Sequence, residues 1–317
     1  MPLALHRALL AGAFVLSTTA AATAASAPAV VQAEQLYAGG KYKEAIAILN
    51  PYLKEHPNDA TALVDRGDDY EALDDEQSAI TDYSAAIAVN PDYAYAYASL
   101  CQSYREVDQS AQALTACDKA IELDGHSAYP YRERAMLEID AGDNKRALSD
   151  ANEALTLSPN SAFGLAVRCE VYRNLSDYAL AIADCTRAIT MNPQLENAYF
   201  ARGQVEIAQA QWTAATSDFD KTLALDSTQN GAYYWLAAAK YNLSMYSSAL
   251  DDIDRYIGNA VDDPDGYLLR AQIQQKLGHI ADARASATDA FKHYKIQNDD
   301  AGAAKAQALL DSLGSPS

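Results

Sequence analysis

Glycine and proline are scarce, 14 and 10 of 317 residues, which leaves too little turn chemistry for a β-sandwich or a many-stranded barrel. Basic residues are outnumbered, with 24 Lys and Arg against 43 Asp and Glu for a net charge of −19. Such a chain repels a phosphate backbone, so no nucleic-acid partner is expected, and anionic lipid is disfavoured too. Catalytic signatures are missing as well. His6, His56, His126, His279 and His293 are scattered, and no zincin, phosphate-loop, nucleophile-elbow or dinucleotide-binding pattern occurs. No catalytic residue, cofactor or metal is therefore expected. The doublets Asp68-Asp69, Asp74-Asp75 and Asp262-Asp263 read as helix caps or solvated turns, because the calcium-loop spacing is lacking. What is present is a half-apolar composition rich in helix formers, in a chain longer than the usual 100 to about 200 residues of one domain. That combination favours an elongated array.

No acidic residue occurs before Glu34. Arg7, the apolar run Ala8 to Leu16 and the small residues Ser17 to Ala27 have the layout of a secretory signal. Ala22-Thr23-Ala24 suits cleavage, so residues 1–24 read as a signal peptide and Ala25 as the mature start. The apolar run is well short of the about 20 residues that span a bilayer. No cysteine stands at or next to the cleavage region and no later run is apolar enough to cross a membrane, so neither a lipid anchor nor insertion of the mature chain is expected. Export, to a periplasm first and to the exterior second, is the expected localisation.

A single register laid down from Ser26 divides residues 26–297 into eight windows of 34 residues: 26–59, 60–93, 94–127, 128–161, 162–195, 196–229, 230–263 and 264–297. The twentieth slot is always Ala, from Ala45 and Ala79 to Ala249 and Ala283. The eighth is always small: Ala33, Gly67, Cys101, Ala135, Cys169, Gly203, Ala237, Ala271. Apolar residues recur three and four apart in each half-window, which predicts two amphipathic helices per window with a close backbone approach at the small slots. Gly40, Gly142 and Gly278 occupy the turn slot, and Pro57, Pro91, Pro159 and Pro193 end second helices.

With its small–Tyr–Ala–apolar–Pro order, the stretch Arg66 to Asp92 resembles a tetratricopeptide repeat, and the windows extend that resemblance over most of the chain. It implies an all-α, right-handed superhelical solenoid of antiparallel helix pairs whose first helices line a concave surface. Departures fall at the ends, where Val261 and Lys295 replace the terminal Pro. Residues 298–313 then read as a capping helix begun by Asp299 or Asp300, and 314–317 as a disordered tail.

Within the hairpins, slots 8 and 24 face each other. Cys101 with Cys117 and Cys169 with Cys185 fill both slots of a window, so two intra-repeat disulfides are expected after export. A small buried thiol is the alternative at these slots, and zinc the weaker one. Slots 7 and 23 pair Arg66 with Asp82, Arg134 with Asp150, Arg168 with Asp184 and Arg202 with Asp218, which reads as a structural ion pair rather than a ligand-receiving arginine row.

On the implied concave face fall Tyr95, Arg105, Tyr129, Arg132, Phe163, Arg173, Phe200, Tyr234 and Tyr241. Aromatic rings interleaved with arginine have the composition of interface hot spots. The expected function is a non-enzymatic interaction scaffold that takes a peptide or protein segment in this groove. The other reading is a subunit of a cell-envelope assembly or transport complex that meets its partners by its ends or convex face. The carboxylate-gripping Lys and Asn pattern of chaperone-type relatives does not occur.

Overall fold

The computed structural model describes residues 27–314; the signal segment with its cleavage site and residues 315–317 lie outside the described residues. Among the described residues the chain is all-helical, with 17 helices and no strand. It divides after Leu175 into two units. The first holds α1 (Pro28–Ala38), α2 (Tyr42–Glu55), α3 (Ala60–Glu71), α4 (Glu76–Val89), α5 (Ala94–Glu106), α6 (Ser110–Leu123), α7 (Ala128–Asp140), α8 (Asn144–Leu157) and α9 (Ala162–Asn174). The second holds α10 (Tyr178–Met191), α11 (Glu196–Ala208), α12 (Trp212–Leu225), α13 (Asn230–Asn242), α14 (Tyr246–Asn259), α15 (Pro264–Leu277), α16 (Ile280–Ile296) and α17 (Asp300–Ser312).

Local chemistry sets the helix ends. Side chains of Asp59, Asp75, Asp143, Ser161, Asp263 and Asp299 accept backbone N–H groups at the starts of α3, α4, α8, α9, α15 and α17, satisfying donors that the helix itself leaves unpaired. α2, α4, α8 and α10 stop two residues before Pro57, Pro91, Pro159 and Pro193. α16 runs on for 17 residues, against 14 both in α8, which stops before Pro159, and in α14, where Val261 replaces the proline, so the missing proline permits the extension without causing it. The turn slot has left-handed backbone in every window: φ is 70° at Gly40, 75° at Gly142 and 79° at Gly278, but also 60° at Asp74, 58° at Asp108, 64° at Ser176, 57° at Ala210 and 61° at Ser244. The turn geometry is therefore imposed by the hairpin and not by glycine alone.

Within each unit consecutive helices pack as hairpins, and each hairpin stacks on the next. First helices also touch one another, α1 on α3, α3 on α5, α5 on α7 and α7 on α9 in the first unit, and α11 on α13 and α13 on α15 in the second. Second helices make no comparable contacts among the described residues, so each unit curves with its first helices inside. The seam of a hairpin is closed at slots 8 and 24. Cys101 and Cys117 are disulfide-bonded there with Cα atoms 5.2 Å apart. No described cysteine is free, Cys169 and Cys185 being disulfide-bonded as well.

Candidate functional site

In the first unit, α5, α7 and α9 each carry an aromatic residue near the N-terminus: Tyr95, Tyr129 and Phe163. The Tyr95 and Tyr129 ring centres are 6.3 Å apart. Arg132, one turn along α7, lays its guanidinium over Tyr129 at 4.9 Å and over Phe163 at 4.7 Å. Such a cation between two rings is held by the quadrupole of each. All four side chains are half-buried.

Glu133 fixes the arginine. Its Oε1 accepts from Arg132 Nε at 3.0 Å and Nη2 at 2.7 Å, while Oε2 accepts from Arg105 Nε at 3.2 Å. Glu133 is only 1% exposed. Burial alone would raise its pKa, but the guanidiniums of Arg132 and Arg105 hold it below the usual carboxylate range. Arg105 also donates through Nη2 to Glu106 Oε1 at 2.7 Å, so the two groove arginines near the ladder are answered by two carboxylates, with Glu133 shared between them. Arg173, farther along, donates to Glu170 at 3.2 Å and to Asn174 at 3.0 Å.

The tyrosine hydroxyls tie one first helix to the next. Tyr95 Oη donates to Asp68 Oδ2 at 3.1 Å and Tyr129 Oη to Gln102 Oε1 at 2.5 Å, and Gln102 Nε2 donates to Glu71. Here the expectation for one acidic doublet needs correction. Asp75 and Asp263 do cap helices, but Asp68 and Asp69 lie inside α3. Asp68 also accepts from Tyr83 Oη at 2.7 Å, and Asp69 is 1% exposed. Their i, i+1 spacing says nothing of which helix face is covered, and the rings of Tyr83 and Tyr95 arrive from α4 and α5. Desolvation pushes Asp68 up to about 6 despite these two hydrogen bonds.

In the second unit the expected groove rings are engaged in packing. Phe200 meets Phe219 edge-on at 5.9 Å, Tyr234 contacts Trp235 at 5.2 Å and Tyr256 at 5.3 Å, and Tyr241 contacts Tyr246 at 5.7 Å. All three rings remain half-buried.

The Arg–Asp seam runs behind this face. Arg66 grips Asp82 with Nε and Nη2, both at 2.7 Å. Arg134 holds Asp150 at 2.6 and 2.9 Å, and Arg202 holds Asp218 at 2.6 and 2.8 Å. The free Nη1 of each arginine reaches back to the preceding hairpin: Arg66 to Asn50, Arg134 to Asp118, Arg202 to Thr186, and in the same way Arg168 to Asn152. One planar fork therefore spans two repeats, which a lysine cannot reproduce. Where the seventh window has Leu236 in place of Arg, Lys240 one turn later pairs with Asp252 at 2.7 Å, a replacement that fixed-slot reading misses.

No curated protein matches the chain in sequence. Family models described as tetratricopeptide repeat match residues 30–94 and 170–195. The chain contains tetratricopeptide repeats. Its repeat fold is shared with many solved structures. A chain of the APC/C hetero-tetramer Cut9-Hcn1 aligns over 92% of this chain with a TM-score of 0.74 at 14% identity. This chain spans just over half of that one, 56%. The human IFIT1 dimer with PPP-AAAA aligns over 91% of this chain and 74% of its own, with a TM-score of 0.65 at 16% identity. Pseudomonas aeruginosa pilF aligns over 68% of this chain and 96% of its own, with a TM-score of 0.58 at 19% identity. At these identities the likeness establishes fold alone. Tetratricopeptide-repeat proteins are typically non-catalytic scaffolds for protein partners. Among the described residues no group of three or more His, Cys, Asp or Glu could hold a metal ion, and no described helix is long and apolar enough to cross a membrane.

Proposed function

We propose that this chain is an exported, non-enzymatic scaffold of eight tetratricopeptide repeats with α17 as its cap, and that it binds a peptide or protein segment along the first helices of the first unit. The observation that carries the reading is Arg132, clamped between Tyr129 and Phe163 and held there by Glu133. A rigid aromatic–arginine patch on the inside of a curve loses little side-chain entropy on binding, which is what makes Tyr and Arg hot-spot residues. Export to an oxidising compartment, the periplasm, is supported by the Cys101–Cys117 bond, since structural disulfides persist mainly outside the reducing cytosol.

The test is a displayed peptide library selected on the whole chain, with the recovered peptides re-measured on a Tyr129→Ala, Arg132→Ala, Phe163→Ala variant of unchanged helicity. Loss of binding in the variant is the expected result. Peptides that bind both proteins equally would move recognition to the ends or the convex face. Cell fractionation with N-terminal sequencing tests export, expected to give a mature start near Ala25; an intact N-terminus in the cytosol would overturn it.

A further inference from the structure

Beyond Tyr95 the ladder ends in carboxylates that no cation among the described residues answers. Asp65 and Asp68 stand three residues apart on α3, with Glu34 of α1 and Asp59 near enough to Asp65 to act on its charge. Tyr37 of α1 and Tyr95 of α5 are the rings beside Asp68. Desolvation first, and then neighbouring carboxylates, push Asp65 and Asp69 each up to about 8. Asp69 is 1% exposed, near enough to Asp65 and Asp68 to feel their charge, and its Oδ1 has no hydrogen-bond partner; neither has Oδ2 of Asp65.

Buried carboxylate oxygens are ordinarily paired, and the arginines of α3, α5 and the ladder are engaged elsewhere. Arg66, on the same helix, is bound to Asp82 and Asn50. Arg105 and Arg132 are bound to Glu133. Carboxylates beside tyrosine rings match an ammonium or guanidinium group, which gains charge-assisted hydrogen bonds from the first and, over a ring, cation–π attraction from the second. A net charge of −19 would steer such a partner to the surface.

We propose that the Asp65–Asp68 end of the groove receives a lysine or arginine side chain, so that the segment bound along the ladder is a basic segment of a partner protein. This rests on the groove reading and narrows its partner by charge.

The experiment uses fluorescence anisotropy on the whole chain with three peptides of equal length and equal aromatic content, carrying Lys and Arg, Gln, or Glu at the same positions. The basic peptide is expected to bind at least about tenfold more tightly than the Gln peptide, and that advantage should shrink as salt rises. Asp65→Asn, which leaves the Tyr95–Asp68 hydrogen bond in place, should shrink the basic peptide's advantage over the Gln peptide to within about twofold. Equal binding of basic and Gln peptides to the wild type, or an advantage that survives in the folded variant, overturns the proposal while the groove reading stands. Should the variant not fold, the wild-type salt titration decides, because a salt-independent preference also overturns it. Binding of spermidine without any basic peptide replaces the proposal with a small-polycation site. Binding of no peptide at all removes this inference and the groove reading together.

Discussion

Phe219 occupies the space that a side chain at Gly203 would need: a Cβ there would lie 2.8 Å from Phe219 Cε1. The same relation joins Gly67 to Tyr83, at 2.6 Å from Cε1. These are slots 8 and 24 of a hairpin, and in four windows their sizes are complementary, glycine facing an aromatic ring at Gly67–Tyr83 and Gly203–Phe219 and alanine facing a branched aliphatic residue at Ala33–Leu49 and Ala237–Ile253. Ala135 with Ala151 and Ala271 with Ala287 depart from this match, and the cysteine pairs replace it by a bond. Where a large side chain fills the seam, little room is left opposite it. Gly203→Ala is therefore expected to destabilise the protein by about 1–2 kcal/mol, the overpacking cost exceeding the gain in helix propensity. Gly203→Ala with Phe219→Leu rebuilds the Ala33–Leu49 combination and should be more stable than the sum of the single effects predicts. Urea unfolding of the three variants checks this, and effects that add to within about 0.5 kcal/mol would deny the coupling.

This pairing marks how far the sequence could be read. Single-slot regularities such as the invariant Ala at slot 20 are one-dimensional and plain in the chain, so the helix pairs and their turns are legible. Size matching between slots 8 and 24 is also written there, but as a relation between two slots, and it surfaces only when the slots are compared pairwise. Burial of Asp68 and Asp69 is another matter. Both are charged residues in a helix that carries no positional mark of coverage, and the rings that cover them belong to other helices. Lys240 escaped for a geometric reason, since a long flexible side chain reaches Asp252 from one turn away.

The turn at Ala210 holds a φ of 57°, a region in which a Cβ crowds the following carbonyl. Gly142 and Gly278 meet the same demand without a side chain. Ala210→Gly should therefore raise stability by about 0.5–1 kcal/mol, the relief of strain outweighing the extra freedom of the unfolded chain. A lowered urea midpoint would show that the turn tolerates alanine without strain.

Reduction should cost the first unit its cross-link. Closing the 16-residue separation between Cys101 and Cys117 is worth about 3 kcal/mol in the loop-entropy account. Cys101→Ala with Cys117→Ala copies the Ala135–Ala151 filling of the next hairpin, so the helices should form with stability lowered by about that amount. Circular dichroism would show unchanged helicity and a lower urea midpoint. A midpoint equal to the wild type's would mean that the bond adds nothing to the fold.

The raised carboxylates give the stability an unusual slope with pH. Asp65 and Asp69 are pushed up to about 8, and Glu138 and Glu206 up to about 7, by burial first and by neighbouring carboxylates second. An unfolded carboxyl group titrates near about 4, so the folded chain holds these protons more tightly. Their stabilisation is complete below about pH 4 and is lost as pH climbs through about 7 and 8. The thermal midpoint is thus expected to fall between about pH 5.5 and about pH 8.5. Asp65→Asn with Asp69→Asn should flatten the upper part of that fall and Glu206→Gln the lower part. A midpoint that rises over the interval would contradict the assignment.

Glu133 offers the sharpest separation of binding from folding. It is nearly fully buried and answers two guanidiniums, so Glu133→Gln keeps the shape while leaving Arg132 without its carboxylate and Arg105 with Glu106 alone. Breaking a buried pair from one side costs about 3 kcal/mol or more, and that loss should appear in urea unfolding. Arg132, no longer anchored, is then free to leave the space between Tyr129 and Phe163, and any peptide that depends on the rigid ladder should dissociate faster. Arg132→Met with Glu133→Gln removes one charge of each sign and should recover much of the stability without recovering the binding. If stability and binding return together in that double variant, the arginine is only packing material and contributes no recognition.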